Sequence, residues 1–408
     1  MAHPPLLLRG RVLPVLDAPI PHGAVVIEDG VITYVGPAAR APHLPREATE
    51  VDVGDGTVIP GMVDAHVHLV ADGVADFMGS VVRSTPQELT RTAAANCVRT
   101  LAAGTVAVRD LGAPGGIAIA VAREIAAGRL PGPEVAAAGR AITAPGGHIP
   151  YLGVEVRGAA QLAEAARTEL AAGADGIKLV ATGGVLTPAV AIGDAPFEEA
   201  ELAAAAAVAR DQGRWVAAHA IGYDGTKRAL RAGATTIEHG VYLDDEAVAL
   251  MASCGAVLVT TRIAVVRMLR HADVIEAAVI AKAEEIQDVN IESLRRAFRA
   301  GIPIAGASDA GTPFNPHGGV AEEAALLVRD IGLSTADALR AVTATAARCL
   351  LRPELGHLSV GAAGHVVVTG GDPLDDVGAL TDVRSVVVAG RLLDTPVEGQ
   401  HALGIDAP

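Results

Sequence analysis

The stretch "VIPGMVDAHVHLV", residues 58–70, ends an apolar run with His66 and His68 two positions apart. Residues two apart on a β-strand face the same side, so both imidazoles point to one place. A metal ion is the chemical use of such a pair, and an ordinary half-buried strand is the plain alternative. Similar groups recur at the ends of other short apolar runs: Lys178 in "DGIKLVA", His219 in "WVAAHA", His239 in "TIEHG" and Asp309 in "GASDAG". Singly, each has a bland reading. A strand-end histidine is more often a core or surface residue than a ligand, and Asp309 could cap a helix in "SDAGTP". Lys178 is odder, because an apolar strand rarely buries an ammonium without a partner.

Taken together, the four imidazoles and the carboxylate suit two divalent ions, zinc or a similar metal. A free ammonium would repel a cation. If Lys178 takes up carbon dioxide it becomes a carbamate, an anion whose two oxygens can bridge two ions. Such a pair lowers the pKa of the water between them and supplies hydroxide near neutral pH. Asp309 would then take a proton from the attacking hydroxide and hand it to the leaving group.

The elements that must position these groups alternate in kind. Eight apolar runs, at 58–68, 104–112, 134–142, 176–182, 215–220, 235–240, 256–261 and 302–309, are separated by Ala-, Glu- and Arg-rich segments with helical spacing. That count predicts an α/β fold, a (β/α)8 TIM barrel, whose catalytic groups sit at the C-terminal ends of the strands. His66 and His68 then end strand one, Lys178 lies on strand four, and His219, His239 and Asp309 belong to strands five, six and eight. A doubly wound open sheet is the rival fold, but neither GxGxxG after the first strand nor GxxxxGK[ST] supports it. Residues 1–57 and 357–408 are short β runs broken by Gly, Pro and Asp, with a hairpin signal at "EDG". The two ends are expected to pair as one small β-sandwich domain around a barrel of residues 58–356.

Composition narrows the partners. The 408 residues fit a barrel with one appendage. Only 2% are aromatic, so the core must be built from Val, Leu, Ile and Ala. A net charge of −15 argues against nucleic acid and anionic membranes. No apolar run approaches the ~18 residues of a membrane span, and no basic leader precedes the patch in "MAHPPLLLRG". Cys97, Cys254 and Cys349 are scattered, offering neither a disulfide framework nor a thiolate site, which favours a reducing cytoplasm. A small-molecule substrate is the expected partner, and a homo-oligomer is compatible with all of this.

In order along the chain, "GMVDAHVH", "GIKLVATGG", "VAAHA", "TIEHG" and "GASDAGTP" resemble the motifs of the amidohydrolase superfamily, and the resemblance spans essentially the whole sequence. It implies His66, His68 and Asp309 on one metal, His219 and His239 on the other, and carbamylated Lys178 bridging them. It also implies hydrolysis, usually of an amide or ester at carbon and less often at phosphorus. "AVRDLG", "AGRAITAPGGHIP" and "HAIGYDGTKRALRAGATTIEHG" most resemble the imidazolonepropionase-like branch. With its lysine in "GIKLVATGG", the chain is similar to metal-dependent dipeptidases that cleave Xaa-Pro, Xaa-Arg or Xaa-Lys bonds and N-acyl amino acids. Imidazolonepropionases work with one metal and lack the bridging lysine, so Lys178 argues against that activity. One departure is His365 in "AGHVVV", where relatives usually carry Asp; it lies in the expected sandwich, away from the ligands.

Substrate contacts are expected from loops. His148, beside two glycines in "PGGHIP", would reach a scissile carbonyl or a carboxylate. Tyr223, four residues after His219, would extend its hydroxyl over the same rim. Arg262 after strand seven or His317 in "FNPHGG" would receive a substrate carboxylate, with a surface arginine as the blander reading. Arg109 and Asp110 read as a structural ion pair, and His271 as a surface residue. The long stretch between strands seven and eight fits a lid, an oligomer face or simply two solvated helices. The same metals would also serve a cyclic amide, lactone or carbamate hydrolase. If Lys178 stays an amine, a mononuclear deaminase-like enzyme is the alternative, and a silent scaffold is the non-enzymatic one.

Overall fold

The computed structural model describes residues 4–393. Residues 394–408 of the expected C-terminal sheet stretch lie outside the described residues. Eight strands form the barrel: β1 (Met62–Val67), β2 (Thr105–Asp110), β3 (Glu134–Ala137), β4 (Gly176–Val180), β5 (Trp215–Ala220), β6 (Thr236–His239), β7 (Val257–Thr260) and β8 (Ile304–Gly306). All neighbouring pairs from β4 to β8 are parallel, as are β1–β2 and β2–β3. Backbone hydrogen bonds close the ring, from Asp309 N to His66 O (2.9 Å), from His68 N to Ala310 O (2.9 Å) and from Asp175 N to Ala137 O (2.8 Å). The barrel expectation is met, with one of its eight runs divided.

The third run, 134–142, is broken into two pieces. Glu134–Ala137 pairs with β2, whereas Ala141–Thr143 pairs with β4 and with a further short strand, Gly153–Glu155. Gly139, in left-handed backbone at φ 70°, makes the break. A Cβ there would meet the Glu169 carboxylate at 2.3 Å, and that carboxylate accepts from the backbone N–H and the guanidinium of Arg140. The break sends the chain outward into the loop that carries His148.

Inside the barrel, Val63, Ala65, Ala107, Ala217, Val259 and Ala305 form one cluster around Trp215, the only tryptophan. Small side chains leave room for two long ones, and Arg109 and Lys178 are among the largest fully buried residues. The Arg109 guanidinium stacks 5.1 Å from the Trp215 ring, a contact that helps an interior cation. Outside the strands, a second cluster packs the Ala-rich helices against Val108, Ile142, Leu179, Ala218, Ile237 and Leu258. A core poor in rings thus works by alternating small interior residues with branched outward ones.

The described N-terminal and C-terminal β segments meet in one seven-stranded sheet. Leu6–Val12 pairs with Ile20–Glu28 and Thr49–Pro60, and the last in turn pairs with Val366–Thr369. Leu8, Val25, Val58, Val366 and Val387 share its core. The "EDG" turn is the hairpin between Ile20–Glu28 and Val31–Pro37, with Asp29 and Gly30 both at positive φ. His365 joins this sheet to the barrel, with Nε2 3.0 Å from Glu134 Oε1. Two helices, Arg262–Arg270 and Ala277–Arg299, fill the stretch between β7 and β8. Among the described residues no helix is long and apolar enough to cross a membrane.

Candidate metal centre

His66, His68, Lys178, His219, His239 and Asp309 all line one small cavity at the C-terminal end of the barrel. Backbone detail aims them there. The β1–β2 register shifts between Asp64 and Val67, so interior-facing Val63 and Ala65 give way to interior-facing His66. Lys178 lies beside Ala217 in the β4–β5 register, and His219 beside Glu238 in β5–β6. His239 follows Glu238 directly, and simple alternation would turn it away. Its φ of 72° brings the ring back into the opening, and Asp309 adopts φ 54°. Left-handed backbone at a β-strand end is costly for a non-glycine residue and is characteristic of functional sites.

The rings are crowded into one group. His66 and His68 have centroids 5.4 Å apart, His66 and His239 5.1 Å, and His219 and His239 4.8 Å. Asp309 Oδ1 stands 3.4 Å from Nε2 of both His66 and His68, and the donor atoms of these three residues lie within 4.8 Å of one another. Each imidazole has one nitrogen occupied by the protein. His66 Nδ1 pairs with Glu238 Oε2 (2.9 Å), His68 Nδ1 with Gly112 O (3.3 Å), and His239 Nδ1 with Thr261 Oγ1 (2.7 Å). His219 is reversed, with Nε2 on Gly183 O (2.9 Å), leaving Nδ1 for the opening. Holding one nitrogen fixes the tautomer and presents the other as a lone pair.

Burial keeps His66 and His239 well below the ordinary imidazole range and brings His219 down to about 4, so these rings are neutral at pH 7. Burial also pulls Lys178 down to about 8, against the opposing pull of Glu238 and Asp309. For Asp309 burial acts upward, but the His66 and His68 imidazoles and Lys178 outweigh it and hold the carboxyl at about 2. Lys178 is 1% exposed, yet its ammonium has no hydrogen bond or ion pair among the described residues. A donor set of imidazoles, a carboxylate and a lysine with no ion pair among the described residues fits divalent metal chemistry.

His148 reaches this group as well. Its ring lies 4.5 Å from that of His219, and Thr187 Oγ1 sits 2.8 Å from its Nδ1. The glycines of "ATGGV" make room: a Cβ on Gly184 would meet His148 Nε2 at 2.3 Å, and one on Gly183 would meet Ala191 O at 1.9 Å.

The other expected substrate contacts lie elsewhere. Tyr223 is 47% exposed and its ring packs at a tilt against Tyr242, outside the cavity, because it opens a helix that turns away from the rim. Arg262 is buried rather than superficial, but it points into the helical stretch, toward Asp330 (3.1 Å), Gln287 O and Asn290. His317 is spent on Ala71 O at 2.9 Å, steadying the turn after β1. His271 stacks on Phe314 at 4.0 Å and is not part of the site.

Arg109 and Asp110 do not pair with each other. Arg109 donates to Glu238 Oε1 (2.9 Å), Ala65 O and Thr236. Asp110 accepts from the backbone of Leu69 and Gly112, shaping the turn after His68. Glu238 and Asp64 are buried acids that support the site and that the sequence reading passed over. Asp64 fastens β1 to β8 through Ser308 N (2.9 Å) and Ser308 Oγ (2.5 Å). Their signal was available, since an acid inside an apolar strand is as anomalous as Lys178.

A (β/α)8 barrel with chemistry-bearing side chains gathered at its C-terminal face is an enzyme scaffold, and this donor set is compatible with divalent metal ions. The Amidohydrolase family pattern matches residues 57–393, and the chain belongs to that family. It is 27% identical to ochratoxinase of Aspergillus niger, over 93% of this chain and 84% of that protein. It is 31% identical to an uncharacterized protein of Mycobacterium tuberculosis, over 82% and 85% of the two chains. A crystal structure of a Xaa-Pro dipeptidase with bound methionine in the active site superposes with a TM-score of 0.88 at 28% identity, covering 96% of this chain and all of that one.

Proposed function

We propose that the protein hydrolyses the amide bond of a dipeptide or an N-acyl amino acid, using two divalent metal ions, zinc by donor chemistry. The observation that carries this reading is Lys178, buried with no hydrogen bond or ion pair among the described residues, in the midst of four imidazoles and a carboxylate. As a carbamate it would become the anion that joins two ion sites, His66, His68 and Asp309 forming one and His219 and His239 the other. When bound, the metals would supply a water acidified toward neutrality and positive charge beside the carbonyl oxygen. The similarity to a Xaa-Pro dipeptidase and to ochratoxinase supports an amide substrate.

The chain's own residues do the rest. Asp309 is ionised at neutral pH and can take the proton lost by the attacking water, then deliver it to the departing nitrogen. His148 remains neutral, because burial holds it well below the ordinary range. It would contact the substrate carbonyl or carboxylate through Nε2, since Nδ1 is committed to Thr187. Glu238 holds the Nδ1 side of His66, which leaves Nε2 free to face the opening.

The test is metal analysis together with hydrolysis. Protein reconstituted with zinc and bicarbonate should hold two ions per chain and cleave dipeptides or N-acyl amino acids. One ion per chain, independent of bicarbonate, would instead leave Lys178 an ordinary amine and remove the bridging role. Two ions with no amide cleaved would turn the search to lactones, cyclic amides and carbamates.

A further inference from the structure

Beside the imidazoles lies a second, narrow chamber, of about 50 Å³, that shares His148, His219, His239 and Asp309 with the small cavity. Its remaining walls are almost wholly apolar. Val185 and Leu186 come from the loop after β4, Val241 from the loop after β6, Val265 and Met268 from the helix Arg262–Arg270, and Ile286 from the helix Ala277–Arg299. All except the partly buried Leu186, which packs against them, belong to one buried cluster. The helices between β7 and β8 are therefore neither free lid nor solvated decoration, for they supply half of the chamber's apolar wall.

The loop wall is held by a lysine. Lys282 Nζ contacts three backbone carbonyls of the loop after β4: Thr187 O at 2.7 Å, Val190 O at 2.5 Å and Gly184 O at 3.3 Å. Lys282 and Ile286 are four residues apart on one helix and so share a face. The same turn of helix therefore both grips the loop and lines the chamber. Thr187, in the gripped segment, carries the hydroxyl on His148 Nδ1. The grip also directs the ammonium of Lys282 at the loop backbone instead of the chamber.

We propose that this chamber is a specificity subsite for an uncharged, apolar side chain of the substrate, and that Lys282 is the positioning residue that keeps its loop wall and His148 in place. The charged or titratable groups bordering it are Asp309 and the three imidazoles, all belonging to the reaction centre. A lysine, arginine or glutamate side chain entering there would lose its hydration, and the one bordering anion, Asp309, is already engaged with His66 and His68 in the reaction centre. A leucine, methionine or phenylalanine side chain would gain from leaving water. The reaction named for the substrate rests on the amide-hydrolase reading, but the chamber's chemistry does not.

The test uses full-length protein reconstituted with zinc and bicarbonate, and N-acetyl amino acids and dipeptides that differ in one side chain. Leu, Met and Phe substrates should exceed Lys, Arg and Glu substrates by about 10–100-fold in kcat/KM. Met268→Glu should shift the Leu-to-Lys ratio toward Lys by about tenfold or more. Lys282→Met should raise KM for the Leu substrate several-fold more than it lowers kcat, and Lys282→Arg, which retains donors, should recover most of that loss. A flat or cation-preferring profile overturns the subsite while leaving amide hydrolysis standing. An equal fall of kcat and kcat/KM in Lys282→Met, with no change in KM, overturns the positioning role. If no amide is cleaved, the amide-hydrolase reading falls and calorimetric binding decides the subsite. N-acetyl-leucine binding at least about tenfold tighter than N-acetyl-lysine, weakened by Met268→Glu, supports it. Equal affinity, or no binding of either, overturns it.

Discussion

Glu238 Oε2 lies 2.9 Å from His66 Nδ1, at the floor of the site, with both side chains buried. The other oxygen of the same carboxylate is 2.9 Å from Arg109 Nη2, itself fully buried and stacked on Trp215. One carboxylate thus sets a tautomer above and neutralises a cation below. Glu238→Gln keeps the shape but removes the charge. Arg109 then becomes a buried ion without its counter-charge, and unfolding in urea should show a loss of about 3–5 kcal/mol. His66 loses its orienting anion, so metal affinity should fall about 10–100-fold. A variant with unchanged stability and metal affinity would remove both roles.

The six proposed ligands were legible because their signal is local: a polar residue at the end of an apolar run, repeated at barrel spacing. The strands were legible for the same reason, and the one misjudged run, 134–142, breaks at Gly139 because of a carboxylate contributed by Glu169, thirty positions on. Contacts of that kind leave no periodicity. Nothing around Lys282 in "AVIAKAEEIQ" announces that its ammonium meets carbonyls more than ninety residues earlier. Arg262 looked like a free cation at the rim because its partner, Asp330, arrives from beyond β8. Tyr223 was placed by distance from His219 along the chain, whereas the helix it begins carries it outward. The sequence therefore spoke clearly about groups fixed to strands and poorly about those fixed by loops.

Asp309 has two oxygens and two proposed duties, holding a metal with His66 and His68 and moving the proton. Asp309→Asn separates them, because an amide oxygen can still ligate but the amide cannot accept a proton at neutral pH. Metal content should stay near that of the parent, while kcat falls about 10²–10⁴-fold. Metal analysis and steady-state kinetics on the same preparation check it. A near-native rate would assign the proton transfer to another group.

Lys178 must be a neutral amine to react with carbon dioxide. Burial holds it at about 8 instead of the ordinary 10.5, so about a tenth is neutral at pH 7 and about half at pH 8. At constant dissolved carbon dioxide, bicarbonate-dependent recovery of activity from apoprotein should therefore be about fivefold faster at pH 8 than at pH 7. Lys178→Met should bind metal weakly at every pH and respond to neither bicarbonate nor pH. Recovery rates that are flat with pH, or a Lys178→Met variant that reconstitutes normally, would remove the carbamate.

Glu323 links pH to stability at the same end of the barrel. Its carboxyl is fully buried and accepts from Thr260 Oγ1 (2.7 Å), Arg262 N (3.0 Å) and Ile263 N (2.8 Å), capping the helix that lines the chamber. Burial pushes it up to about 7 in spite of those donors. Between its ordinary 4.5 and 7, the folded chain keeps a proton that the unfolded chain has released. Its contribution to stability is therefore fully present below pH 4.5 and is lost as the pH rises through 7, with a total on the order of 1–3 kcal/mol. Glu323→Gln cannot ionise. The difference in urea stability between variant and parent should move in the variant's favour as the pH is raised from 5 to 8. A difference that stays constant over that interval would mean that Glu323 is already ionised at pH 5, held there by its three donors and the helix N-terminus.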